Sequence, residues 1–125
     1  MGKELAVAFL REAEEILGKP KLRLEDVIQA CEKLYKAAEE AVKGLARTYA
    51  SDIFREAEDR GRWTVTMLER AQRRISRKLG DGVREGWDVA YYLHVAGFHE
   101  AKPDAEAVKS RLKPIKNLVN MSVEG

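Results

Sequence analysis

Residues 24 to 50, LEDVIQACEKLYKAAEEAVKGLARTYA, decide the fold. Val27, Cys31, Leu34, Ala38, Ala41, Leu45 and Tyr49 step by four and three, and Ile28, Tyr35 and Val42 widen the same stripe. That spacing returns each apolar side chain to one face of a helix, and no strand periodicity competes with it. At about 1.5 Å per residue this helix is roughly 40 Å long. It outreaches the helix expected before it, so its far end should pack on something else.

Towards the amino end, a helix from about Glu4 to Leu17 gathers Ala6, Phe9, Leu10, Ala13, Ile16 and Leu17 on one stripe. Gly18-Lys19-Pro20 ends it with a C-cap glycine and a helix breaker. Towards the carboxyl end, residues 51 to 62 (SDIFREAEDRGR) read as a charged surface connection, with Ile53, Phe54 and Ala57 pinning one helical turn to the core. The third long helix starts near Trp63 to Thr66, with Thr66 and Glu69 as a capping box, and buries Val65, Leu68, Ala71, Ile75 and Leu79.

After the tight break Gly80-Asp81-Gly82, a helix from about Val83 to His99 carries two stripes. Trp87, Tyr91, His94 and Phe98 form a bulky one; Gly86, Ala90 and Gly97 form a small one that permits close helix approach. A last helix, about Asp104 to Val119, aligns Ala105, Val108, Leu112, Ile115 and Val119, with Pro114 kinking or splitting it. The expected fold class is all-α, an antiparallel helical bundle of about five helices, in one domain over residues 1–125.

Composition bounds the setting. The chain is 45% hydrophobic and 35% charged, which excludes both a disordered chain and a membrane span. One cysteine, Cys31, excludes an internal disulfide, and Met1-Gly2-Lys3-Glu4 lacks the apolar run of a signal peptide, so a cytoplasmic location is expected. Only Gln29, Gln72, Asn117 and Asn120 carry side-chain amides, a composition that suits a thermophilic source. The net charge of +2 hides a bias: residues 1 to 59 sum to −3, residues 60 to 84 to +6, and residues 85 to 125 to −1.

The stretches ACEKLYKAAEEAVKGLA, RWTVTMLERA and WDVAYYLHVAGFHEAKPDAEAVKSRL, taken together, resemble the archaeal PaREP-type family, small helical proteins placed near the HEPN superfamily. The resemblance covers nearly the whole chain and is most specific at Trp87, Leu93-His94, Gly97-Phe98-His99-Glu100 and Asp104. It implies an antiparallel bundle, often dimeric, of largely unassigned activity. HEPN-type ribonucleases carry an arginine, four to six residues and then a histidine, whereas here the nearest arginine, Arg84, stands ten positions before His94 and fifteen before His99. Nuclease activity is therefore not expected. By analogy alone, non-catalytic HEPN relatives suggest pairing with a small nucleotidyltransferase or binding of nucleotides.

The chemistry-bearing residues have bland readings beside functional ones. His94 and His99 are five apart, about 140° around a helix, so they do not face one ligand, and neither a metal site nor a cofactor is expected. His94, on the stripe of Trp87 and Tyr91, reads as a packed core histidine or as a pocket base, and His99, beside Glu100, reads as a cap on the carbonyls at the helix end; Trp87, Tyr91, His94, His99 and Glu100 mark the candidate pocket region. Its orienting acid would come from another helix, for example Glu39 or Glu40. Arg70, Arg73, Arg74, Arg77 and Lys78 form a cationic stripe opposite Leu68, Ala71, Ile75 and Leu79. It reads as a solvated, ion-paired face or, less favourably, as a phosphate or nucleic-acid contact. A non-enzymatic homodimeric binding or assembly protein is the leading expectation, because the long second helix and the two stripes offer more apolar surface than one short bundle hides.

Overall fold

The computed structural model describes residues 2–99 and 104–124, the last two of the first range by backbone alone. The long apolar-striped helix is the centre of the molecule. It spans Leu24–Tyr49 as α2, after α1 (Gly2–Leu17), and its Leu34, Ala37, Ala38, Ala41 and Val42 are wholly buried. Arg23 precedes it, and its backbone N–H donates to the Asp26 carboxylate at 3.0 Å, which satisfies one free donor and holds the Asp26 carboxyl below its ordinary range.

α1 runs antiparallel along almost the whole of α2. Lys19 meets Asp26 at 3.2 Å near one end, Lys33 meets Glu12 at 2.8 Å midway, and Gly2 sits beside Gly44 at the other. A Cβ on Gly2 would stand 2.9 Å from the Glu40 carbonyl, so the alanine-rich hairpin closes further than a side chain there allows. The expected overhang of α2 is thus shortened to residues 45–49, which run past Gly2 of α1. α2 is instead engaged on its other flanks by helices from later in the chain.

Those helices are α3 (Ser51–Arg60), α4 (Val65–Leu79), α5 (Asp81–Leu93) with a π-helical continuation at His94–His99, α6 (Ala105–Lys109) and α7 (Leu112–Glu124). Seven α-helical segments replace the expected five among the described residues, for two reasons. The supposed connection at 51–62 is helical because Ile53 and Ala57 bury one face, and Gly61, at φ 74°, stops it in the left-handed region. The last helix is split: Asp104 caps α6 by accepting from the Ala107 N–H at 2.8 Å, and α7 restarts so that Pro114 falls in its first turn, where a missing N–H costs little.

Two further expectations are corrected. The cap of α4 is Thr64, whose hydroxyl accepts from the Met67 N–H at 3.2 Å, rather than Thr66. Val65 and Leu79, expected in the core, are 43% and 36% exposed because they are the first and last residues of α4, beyond the buried middle of Leu68, Ala71 and Ile75. Among the described residues both stripes of α5 are used inside the subunit; the side chain of Phe98, expected on the bulky one, lies outside them. Trp87 and Ala90 are fully buried, and a Cβ on Gly86 would come within 2.7 Å of both Leu118 Cβ and the Pro114 carbonyl, so α5 and α7 pack at close approach.

Candidate functional site

The polar chemistry of the bundle gathers where α2 faces α5. Tyr35 is the hub. Its ring stacks on His94 with centroids 4.1 Å apart at 18°, lies 5.7 Å from Trp87, and meets Tyr91 edge-on at 6.2 Å. Trp87 and Tyr91 are themselves 6.1 Å apart. The helical spacing that put Trp87, Tyr91 and His94 on one stripe is the spacing that brings their rings together here.

Carboxylates surround this cluster. His94 Nδ1 lies 3.1 Å from Glu32 Oε2; an ionised carboxylate only accepts, so Nδ1 carries the hydrogen. The Trp87 indole N–H donates to Glu69 Oε2 at 2.8 Å. Glu39, close enough to feel both His94 and Lys43, has its carboxyl pushed above the ordinary 4.5, chiefly by burial. Burial, and then the field of Glu39, raises the Tyr35 hydroxyl far above its usual range. Cys31, on the neighbouring face of α2, is pushed up to about 11, again chiefly by burial.

The orienting acid of His94 is thus Glu32, neither of the two examples expected. Glu40 instead holds Lys43 at 3.1 Å. The ridge Glu32, Tyr35, Glu39 steps by three and four along α2, and that signal was present in the sequence. What it lacked was the register of α5 against α2. His99 ends the π-helical stretch, its side chain lies outside the described residues, and Glu100 lies outside them altogether.

On α4 the cationic stripe divides. Arg70 and Arg74 reach across to α3, pairing with Glu56 at 3.4 Å and Asp52 at 2.9 Å. The Arg74 hydrogen bond holds the Asp52 carboxyl below its ordinary value. Arg73 and Arg77 face the other way, into a cleft shared with Gln72, Ser76, Asp81 and Arg84. Lys78, in the last turn of α4, is exposed. The cleft residues Gln72 and Ser76 were not singled out from sequence, because nothing in a helical pattern marks a polar residue as lining a cavity.

With this geometry in place, comparison with known proteins fixes the lineage. The profile of the archaeal PaREP1/PaREP8 family matches residues 2–119. The chain belongs to that family. It is similar to a crystal structure of a Sulfolobus solfataricus protein, at 36% identity and a TM-score of 0.82, covering 96% of this chain and 94% of that one. A solution structure of the same structural-genomics target gives a TM-score of 0.78 at 36% identity, covering 96% of this chain and 89% of that one. No curated protein matches. The PaREP1/PaREP8 relatives share the all-helical fold and bring no functional name with them. Among the described residues, no helix is long and apolar enough to cross a membrane.

Proposed function

We propose that this protein is a non-enzymatic binding or assembly module, a single HEPN-like helical domain that pairs with a second copy of itself in the cytoplasm of a thermophile. One observation carries the pairing. At the end of the bundle where α1 begins and α7 finishes, Leu5 and Val123 are 46% and 45% exposed, and Val123 and Val7 line an apolar cleft of about 330 Å³. Leu79 stands exposed at that same end, next to Tyr49 and Met121. Side chains this apolar at one place favour burial against a partner. Lys3 and Glu4 flank the cleft with opposite charges, the arrangement a two-fold contact needs to set each against its opposite on the other copy.

The surroundings of His94 support a non-enzymatic reading. Its ring face is covered by Tyr35 and its Nδ1 engages Glu32, so the imidazole is positioned as part of a packed cluster. Sedimentation equilibrium tests the pairing: a dimer of the 14.2 kDa chain is expected, reverting to monomer in Leu5→Glu and Val123→Glu. A monomer at tens of micromolar rejects a self-pairing module, and a mixed complex with another helical protein would then be the alternative. Incubation with RNA and DNA is expected to leave both intact; cleavage abolished by His94→Ala would reverse the non-enzymatic reading.

A further inference from the structure

The split of the arginines on α4 has a consequence for ligands. Arg70 and Arg74 are compensated by α3, while Arg73 and Arg77 form no ion pair among the described residues. These two guanidinium groups, with Arg84 from the first turns of α5, border a cleft of about 290 Å³. Gln72 lies in its wall at only 4% exposure, one of two buried polar side chains among the described residues. The Ser76 hydroxyl donates to Gln72 Oε1 at 3.5 Å, a bond at the limit of useful length and easily exchanged for a better acceptor.

The charges in the cleft do not balance. Among the described residues Asp81 is the single acid lining it, and its carboxylate lies 3.6 Å from Arg84, so two positive charges there have no acid to offset them. α5 also starts here, behind Gly80, which offers no side-chain acceptor to its first N–H groups. The positive end of the helix therefore adds to the same field. Arginine forks match phosphate oxygens in pairs, and a phosphomonoester near neutral pH carries close to two negative charges.

We propose that the α4–α5 cleft receives a phosphomonoester group, gripped by Arg73, Arg77 and Arg84. A polyanion track fits less well. The ion pairs of Arg70 and Arg74 interrupt the stripe, and the segments on either side of residues 60–84 are net acidic, so the free positive charge is gathered at one head-group-sized place. The inference goes beyond the assembly reading and does not depend on it, since a monomer would carry the same cleft.

Amide chemical shifts followed during titration with methyl phosphate, at constant ionic strength, test it. Saturable shifts centred on residues 76–84 are expected, with dimethyl phosphate, which has one charge, binding at least about fivefold more weakly. Arg73→Gln and Arg77→Gln should each weaken methyl phosphate about tenfold, and Arg70→Gln should leave it unchanged. Asp81→Asn, which removes the competing carboxylate, should tighten it. These side chains are all solvent-facing, and the amide spectrum of each variant reports directly whether the bundle is intact.

A short single strand with a 5′-phosphate or a 5′-hydroxyl separates the sources. Tighter binding of the phosphorylated strand than of methyl phosphate identifies a nucleic-acid end, and equal binding identifies a small phosphate ester. Equal binding of the two strands, equal binding of monoester and diester, or no saturable shift by about 20 mM methyl phosphate overturns the proposal.

Discussion

The aromatic cluster on one side of α5 and the arginine cleft on another are both rich in polar atoms, yet their groups are satisfied in opposite ways. Around Tyr35, donors find acceptors within the fold: Trp87 has Glu69, and His94 has Glu32. In the cleft, Arg73 and Arg77 find none among the described residues. Groups satisfied internally hold a fold together, because losing one strands its partner. Charges left facing water add little to stability and are available to something else. Changes in the cluster should therefore alter stability, and changes in the cleft should alter binding alone.

Trp87→Ala is the heaviest test. The side chain is fully buried and touches both Tyr35 and Tyr91, so its removal should cost about 3–5 kcal/mol by cavity formation. Urea unfolding followed by circular dichroism measures it. A loss under about 1 kcal/mol would mean the cluster relaxes around the gap and is not the structural centre described above.

His94→Ala comes next, at about 1–3 kcal/mol, since it removes the ring stacked on Tyr35 and leaves Glu32 without its donor. His94→Phe sharpens the result. It keeps an aromatic ring against Tyr35 but still strands the carboxylate, so recovery of most of the stability would assign the effect to stacking, and little recovery to the hydrogen bond.

Much of this was legible beforehand, and the reason is periodicity. The bounds of α2 are legible to within one residue because its apolar stripe runs unbroken from Val27 to Tyr49, and only one turn precedes it. The stripe on α5 was legible for the same cause. Contacts between elements were not, since a helix wheel gives a face but not what lies opposite: Glu32 was missed as the partner of His94, and the stripe of five cations was read as one surface when α3 neutralises part of it. The helix at 51–60 escaped because its Asp, Arg and Glu residues resemble a connection, and only burial of Ile53 and Ala57 makes it helical. The break between α6 and α7 falls at Ser110-Arg111, since in an unbroken helix the ring of Pro114 would clash with the carbonyl four residues before it and leave that carbonyl without a donor.

Glu39 offers a smaller effect of opposite sign. Burial raises its carboxyl above 4.5, so the folded protein holds that proton more tightly than the unfolded chain does. Above the raised value the ionised, partly desolvated carboxylate therefore weakens the fold, and below 4.5 the penalty is gone. Glu39→Gln should be more stable than the natural sequence at pH 7, and the advantage should fade as pH falls through the raised value towards 4.5. Urea midpoints across pH 4 to 7 read this directly. A less stable variant at pH 7 would show that the attraction of Glu39 to Lys43 and His94 outweighs its burial.

The smallest effect is expected where the charge is most conspicuous. Arg73 stands one helical turn from Glu69, which attracts it, and one turn from Arg70 and Arg77, which repel it. Such exposed pairs are each worth about 0.2–0.5 kcal/mol and here they oppose one another. Glu69 is further engaged by the Trp87 indole, which leaves less of it for Arg73. Arg73→Gln should therefore stay within about 0.5 kcal/mol of the natural sequence at low salt, and salt should narrow the difference because the competing contacts are all solvent-facing. A loss of 2 kcal/mol or more, about the scale of a buried hydrogen bond to a charge, would place Arg73 inside the folding network and erase the contrast between cluster and cleft. A null result in unfolding together with a tenfold loss for methyl phosphate is the pairing that only a binding role produces, since a structural arginine would move both measurements and a merely solvated one neither.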